Sequence, residues 1–131
     1  MKLLGQVNVV SVTVTDLARA RAFYGTTLGL GDPWFDSEEM GWIEWGADGR
    51  AGNLAVTLPR DGATPGGGTT PVLDTADASA LHRALQQRGV RCEPLEVVAG
   101  GLLVCCTFHD PDGNRLQAIS PAWPPDADPP Q

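Results

Sequence analysis

The chain has 131 residues, enough for one ordinary domain and too few for two independent hydrophobic cores. A formal net charge of −7 argues against a nucleic-acid partner, which requires a basic surface, and no apolar run approaches the roughly 20 residues of a membrane span. Cys92, Cys105 and Cys106 form neither a disulfide framework nor a zinc-type spacing, so reduced, buried thiols in a cytoplasmic protein are expected. The opening MKLLGQVNVV lacks a continuous apolar region and reads as a lead-in to a strand rather than an export signal.

In Val7–Val14, Val10, Val12 and Val14 alternate with Val9, Ser11 and Thr13, which predicts a first strand. Asp16 follows as an N-cap. Leu17, Ala20, Phe23, Tyr24 and Leu28 then recur at helical spacing, with Arg19 and Arg21 pointing outward and Gly29 closing the helix. Short strands are predicted near Trp34–Asp36, Trp42–Gly46 and Asn53–Leu58, with Ala47-Asp48-Gly49-Arg50 as the turn between the last two. The glycines and prolines of Pro59–Gly68 mark a linker, centred on 61–68.

The second half repeats the plan. Thr69–Asp74 reads as a strand, and Asp77 caps a helix carrying Ala78, Leu81, Ala84 and Leu85 that ends at Gly89. Strands are predicted near Val90–Val97, Leu102–His109 and Arg115–Ser120, the last two joined by the turn Asp110-Pro111-Asp112-Gly113-Asn114. The Pro-rich segment 123–131 is expected to be a mobile tail. The expectation is an α+β fold: one domain over 1–122, made of two βαβββ modules at about 5–60 and 69–120. Each module leaves one sheet face bare, and pairing those faces forms an open mixed-sheet cleft.

Two stretches carry a family resemblance. Asp16-Leu17-Ala18-Arg19-Ala20-Arg21-Ala22-Phe23-Tyr24, followed by Leu28-Gly29-Leu30, resembles the first-helix signature of the vicinal-oxygen-chelate superfamily, which includes glyoxalases, bleomycin-resistance proteins and extradiol dioxygenases. Phe108-His109-Asp110-Pro111-Asp112-Gly113-Asn114-Arg115-Leu116-Gln117 resembles its final hairpin. The resemblance implies metal ligands on four strands, at positions that fall here on Val9, Ala55, Thr70 and Gln117. Valine and alanine offer no lone pair, and threonine and glutamine are weak ligands for first-row cations. His82 on a helix face and His109 at a strand end read as surface residues rather than substitutes. The resemblance thus implies the metal-less, drug-binding type, with no cofactor. It also implies a homodimer, whose modules pair within a chain or swap between chains.

Strand parity extends the candidate lining. If Val9 faces the cleft, Ser11 follows it, Thr57 accompanies Ala55, and Val72 accompanies Thr70. Pairing across the last hairpin is expected to bring Cys106 and Phe108 near Gln117 and Arg115. Trp34, Trp42 and Trp45 offer flat faces for a planar ligand, although Trp42 and Trp45 should point to opposite sides. Glu44 reads as a solvated edge-strand carboxylate, with contact to a cationic ligand or a role as base as alternatives. Cys106 has no base placed to activate it, so no catalytic residue is assigned. The candidate ligand-binding set is therefore Val9, Ser11, Trp34, Trp42, Glu44, Trp45, Ala55, Thr57, Thr70, Val72, Cys106, Phe108 and Gln117. The expected function is sequestration of an aromatic antibiotic or natural product for self-resistance. The alternatives are a metal-free isomerase, cyclase or lyase using Glu44 or Ser11, and a metalloenzyme whose ligands lie at other positions.

Overall fold

Valine-rich alternation and Asp-capped helical segments give nine strands and two α-helices among the described residues, which are 3–46, 52–60 and 62–122 of the computed structural model. The expected turn at 47–50 and the tail from Trp123 lie outside them. The order is β1 (Val9–Thr13), α1 (Leu17–Arg21), β2 (Phe35–Ser37), β3 (Trp42–Trp45), β4 (Asn53–Thr57), β5 (Val72–Asp74), α2 (Ala78–Gln87), β6 (Arg91–Cys92), β7 (Glu96–Val98), β8 (Leu103–His109) and β9 (Arg115–Pro121). The chain forms two compact units, Met1–Thr69 with Pro111–Asn114, and Thr70–Asp110 with Arg115–Gln131.

In the first unit the sheet runs β1-β4-β3-β2, with β1 parallel to β4 and the other pairs antiparallel. The register joins Ser11 to Ala55 and Ala55 to Glu44, and it joins Thr13 to Thr57 and Thr57 to Trp42. These residues therefore share one face. Val12, Ile43, Trp45 and Val56 take the other and are buried with Leu17, Ala20 and Tyr24 of the helical segment. Asp16 caps α1 as expected, its side chain accepting from the Arg19 N–H at 2.9 Å. The helix departs from the expected regular α-form: Ala22–Thr27 widens into a π-helical turn, with Leu28 N–H donating to the Phe23 carbonyl at 2.8 Å. Gly25 suits the close approach there, since a Cβ would stand 3.0 Å from the Gly31 carbonyl oxygen. That carbonyl in turn accepts the Trp45 indole N–H at 3.0 Å.

Pro111–Asn114 does more than turn the chain. Asp112 accepts from the Thr15 hydroxyl at 2.6 Å, the Thr15 N–H at 3.2 Å and Arg19 Nη2 at 2.9 Å. Asn114 donates to the Thr13 carbonyl at 2.7 Å and accepts from the Gly66 N–H at 2.8 Å. The segment thus fixes the junction between β1 and α1.

In the second unit the order is β5-β9-β8-β6, with β7 also pairing β8. Asp77 caps α2 through the Ser79 and Ala80 N–H groups, and Gly89 follows its end at φ 76°. Two expectations need correction. The strand over Val90–Val97 is broken into β6 and β7, since Pro94 has no N–H to give a ladder. The final hairpin pairs His109 with Arg115, Thr107 with Gln117 and Cys106 with Ala118. This register sits one residue away from the expected one. Cys106 and Phe108 therefore face the core with Leu116 and Ala118, on the side of the sheet opposite Gln117.

Candidate functional site

The densest side-chain chemistry lies on the first unit's sheet, on the face away from its helix. Strand alternation places Trp42 and Glu44 together on β3, and neighbouring β4 contributes Asn53. Glu44 is only 6% exposed. Its Oε1 accepts from Trp42 Nε1 at 3.0 Å, and its Oε2 accepts from Trp34 Nε1 at 2.9 Å and Asn53 Nδ2 at 2.8 Å. The expected solvated edge-strand carboxylate is thus corrected: β3 is an interior strand, and Glu44 is buried beneath two indoles. Burial pushes its carboxyl up, but the N–H bonds from Asn53, Trp34 and Trp42 outweigh burial and hold it below the ordinary carboxylate range.

Above this carboxylate opens a cavity of about 370 Å³ lined by Trp34, Phe35, Met40, Trp42, Glu44 and Arg60. The Trp34 and Phe35 rings meet at 5.7 Å in a tilted arrangement. Arg60 stands at the rim with its guanidinium 6.0 Å over the Trp42 ring. Its Nε donates to Thr57 Oγ1 at 2.9 Å, and its Nη2 donates to the Met40 carbonyl. Largely apolar walls with a few placed polar groups suit a small molecule held in one orientation.

The candidate residues divide accordingly. Trp34, Trp42 and Glu44 line the aromatic cavity, and Thr57 anchors its rim through Arg60. Ser11 lines a second, hydroxyl-rich cavity of about 420 Å³ with Thr13, Thr64, Thr69 and Asn114. Val9 and Ala55 share the sheet face of Ser11. Trp45 is placed differently from its expected ligand-facing role. It is 2% exposed and stacks on Tyr24 at 5.6 Å within the core, as its opposite parity to Trp42 requires. In the second unit Val72 pairs with Gln117, whose side chain donates to Thr107 Oγ1 at 3.1 Å, and Thr70 accepts from Arg115 at 3.5 Å.

Arg60, Met40, Phe35 and Asn53 escaped the sequence reading. Asn53 and Phe35 are recoverable from parity, since they pair into the face that holds Trp42 and Glu44. Arg60 and Met40 stand outside strands, where alternation gives no signal.

The four positions implied for a metal do not suit one. Val9 and Ala55 carry no donor atom, Thr70 already receives Arg115, and the Gln117 amide is turned to Thr107. Among the described residues no three His, Cys, Asp or Glu side chains converge as a metal group. His82 and His109 both turn to Glu93, contacting its carbonyl at 3.0 Å and its carboxylate at 3.2 Å. Burial, then the neighbouring thiols Cys92 and Cys105, push the Cys106 thiol up to about 11, which leaves it un-ionised and unsuited to nucleophilic attack at neutral pH.

Residues 6–118 match the family model described as the Glyoxalase/Bleomycin resistance protein/Dioxygenase superfamily. No curated protein matches the chain significantly. Among solved structures, a member of the same superfamily from Sphaerobacter thermophilus is 28% identical, with TM-score 0.73, covering 90% of this chain and 98% of its own. TnmS3, an antibiotic binding protein from a Streptomyces species, is 26% identical, with TM-score 0.74, over 92% of this chain and 99% of its own. A glyoxalase/bleomycin resistance protein from Catenulispora acidiphila is 27% identical, with TM-score 0.64, over 88% and 97%.

Proposed function

The chain belongs to the glyoxalase/bleomycin resistance protein/dioxygenase superfamily, and on that premise we propose that it is a metal-independent small-molecule binding protein. It sequesters a planar aromatic antibiotic or natural product in the cavity of Trp34, Phe35, Met40 and Trp42, and so serves self-resistance. The observation that carries this reading is the pair of indoles tied by their N–H groups to one buried carboxylate. Such tethering fixes both rings before a ligand arrives, which lowers the ordering cost of binding. The likeness to an antibiotic binding protein over nearly the whole chain supports the same reading. The donor-poor positions Val9 and Ala55 disfavour the family's metal-assisted chemistry.

The same proposal keeps residues 1–122 as one domain and makes the working form a cytoplasmic homodimer. Among the described residues no helix is long and apolar enough to cross a membrane.

The test is a tryptophan-fluorescence titration against planar aromatic antibiotics, with the ligand recovered and analysed afterwards. Saturable quenching, an unchanged ligand, and an affinity lowered about tenfold or more by Trp42→Ala are expected. A chemically altered ligand would move the protein among enzymes. Unchanged affinity in both Trp34→Ala and Trp42→Ala would remove the cavity from consideration.

A further inference from the structure

The aromatic cavity holds two charged groups in unequal states. Glu44 is buried, and its three partners, Trp34, Trp42 and Asn53, are all neutral donors. They satisfy lone pairs without supplying a unit of positive charge. Among the described residues no arginine or histidine forms an ion pair with this carboxylate. Oε1 accepts one N–H, from Trp42, whereas a carboxylate oxygen can accept two, and Glu44 lines the cavity. A buried anion without a counter-charge attracts a cation strongly, because low-dielectric walls screen it poorly.

Arg60 is the opposite case. It is exposed at the rim, hydrogen-bonded to Thr57 and Met40, and lies over the π-face of Trp42. The chain's own guanidinium already takes the position in which a planar cation meets that indole.

We propose that this cavity selects a planar cation, a protonated amine or amidinium borne on an aromatic ring system, with Glu44 as its counter-ion and Trp34 and Trp42 as its walls. This rests on the binding-pocket reading above and names its ligand class. Arg60 is the competitor that an incoming cation displaces from the Trp42 face. The formal charge of −7 favours the same ligand at longer range.

The experiment is calorimetric titration of the full chain with three flat tricyclic probes of similar size: cationic proflavine, neutral acridone and anionic anthraquinone sulfonate. Proflavine is expected to bind at one per chain, about tenfold or more tighter than acridone, with the sulfonate weakest. Arg60→Gln should tighten proflavine binding, and Glu44→Gln should abolish its advantage over acridone. Should Glu44→Gln fail to fold, the exposed Arg60→Gln variant decides alone. Weaker proflavine binding in that variant overturns the proposal. Equal affinity for proflavine and acridone, both weakened by Trp42→Ala, overturns charge selection and leaves the aromatic pocket standing. The sulfonate binding tightest, and losing affinity in Arg60→Gln, also overturns it and makes Arg60 the anchor. Binding of no probe, or binding indifferent to Trp42→Ala, overturns the proposal and the pocket reading together.

Discussion

On the first unit's sheet, the face away from α1 carries Trp42, Glu44, Asn53 and Thr57. In the second unit, the face away from the core side chains Leu116 and Ala118 carries Val72, Cys105, Thr107 and Gln117. Both sheets have the same frame, with the unit's first strand parallel to its last and the remaining pairs antiparallel. Yet one face concentrates a carboxylate and indoles around a cavity, while the other joins a glutamine amide to a threonine hydroxyl. The repeated frame decides which side chains share a face and leaves their chemistry free. On the first face, the long, flat side chains Trp34, Phe35 and Trp42 wall the cavity above Glu44.

The largest expected effect separates the two faces of the first sheet. Trp45→Ala removes a buried ring stacked on Tyr24 and should cost about 3–5 kcal/mol, read as a lower urea midpoint with an unchanged slope. Trp34→Ala removes a ring that is 40% exposed. It also removes one N–H from buried Glu44, so it should cost about 1–3 kcal/mol, less than Trp45→Ala, while weakening ligand binding. If Trp34→Ala destabilised as strongly as Trp45→Ala, the division into a core face and a binding face would fail.

That division was partly legible in the sequence. Alternation along a strand has a period of two, so Ser11 fell with Val9, Thr57 with Ala55, and Trp42 opposite Trp45. Which tryptophan shares the face of Ser11 and Ala55 follows only from the pairing of β3 with β4. Both helix caps were legible too, since Asp16 and Asp77 act on N–H groups two or three residues away. The register of the final hairpin was not legible. Five residues separate His109 from Arg115, and a count of six would send every side chain of β8 to the other face. The burial of Glu44 was hidden for a related reason. A carboxylate between tryptophans reads as solvated until donors from three separate segments converge on it.

Glu44 sharpens the comparison through pH and substitution. Glu44→Gln puts an amide donor where indole N–H groups also donate, and should cost about 1–3 kcal/mol of stability. The parent's Glu44 carboxyl is held below its ordinary value of 4.5. Its contribution is therefore full above that value and is lost as pH falls through the depressed one. Indole fluorescence and near-ultraviolet circular dichroism should change together in that acidic window, and the change should shrink in Glu44→Gln. Asp112 follows the same sign. Burial raises its carboxyl, but bonds from Thr15 and Arg19 outweigh burial and hold it below 3.8. Asp112→Asn keeps the shape but loses the charge at Arg19. It should cost about 1–2 kcal/mol by urea denaturation, with less of the loss remaining at acidic pH.

The smallest effect tests the second unit's face. Thr107→Val removes the hydroxyl that accepts the Gln117 amide while filling nearly the same space. Gln117 is partly exposed, so water can replace the lost partner. The expected cost is therefore about 0.5–1.5 kcal/mol rather than that of a stranded buried donor. Thr107 lies outside the cavity of Trp34 and Trp42, so proflavine affinity should match the parent's. An affinity that fell with Thr107→Val would give the second sheet a direct share in binding. The contrast between a chemically armed face and a neutral one would then have to be redrawn around Gln117 as a ligand contact.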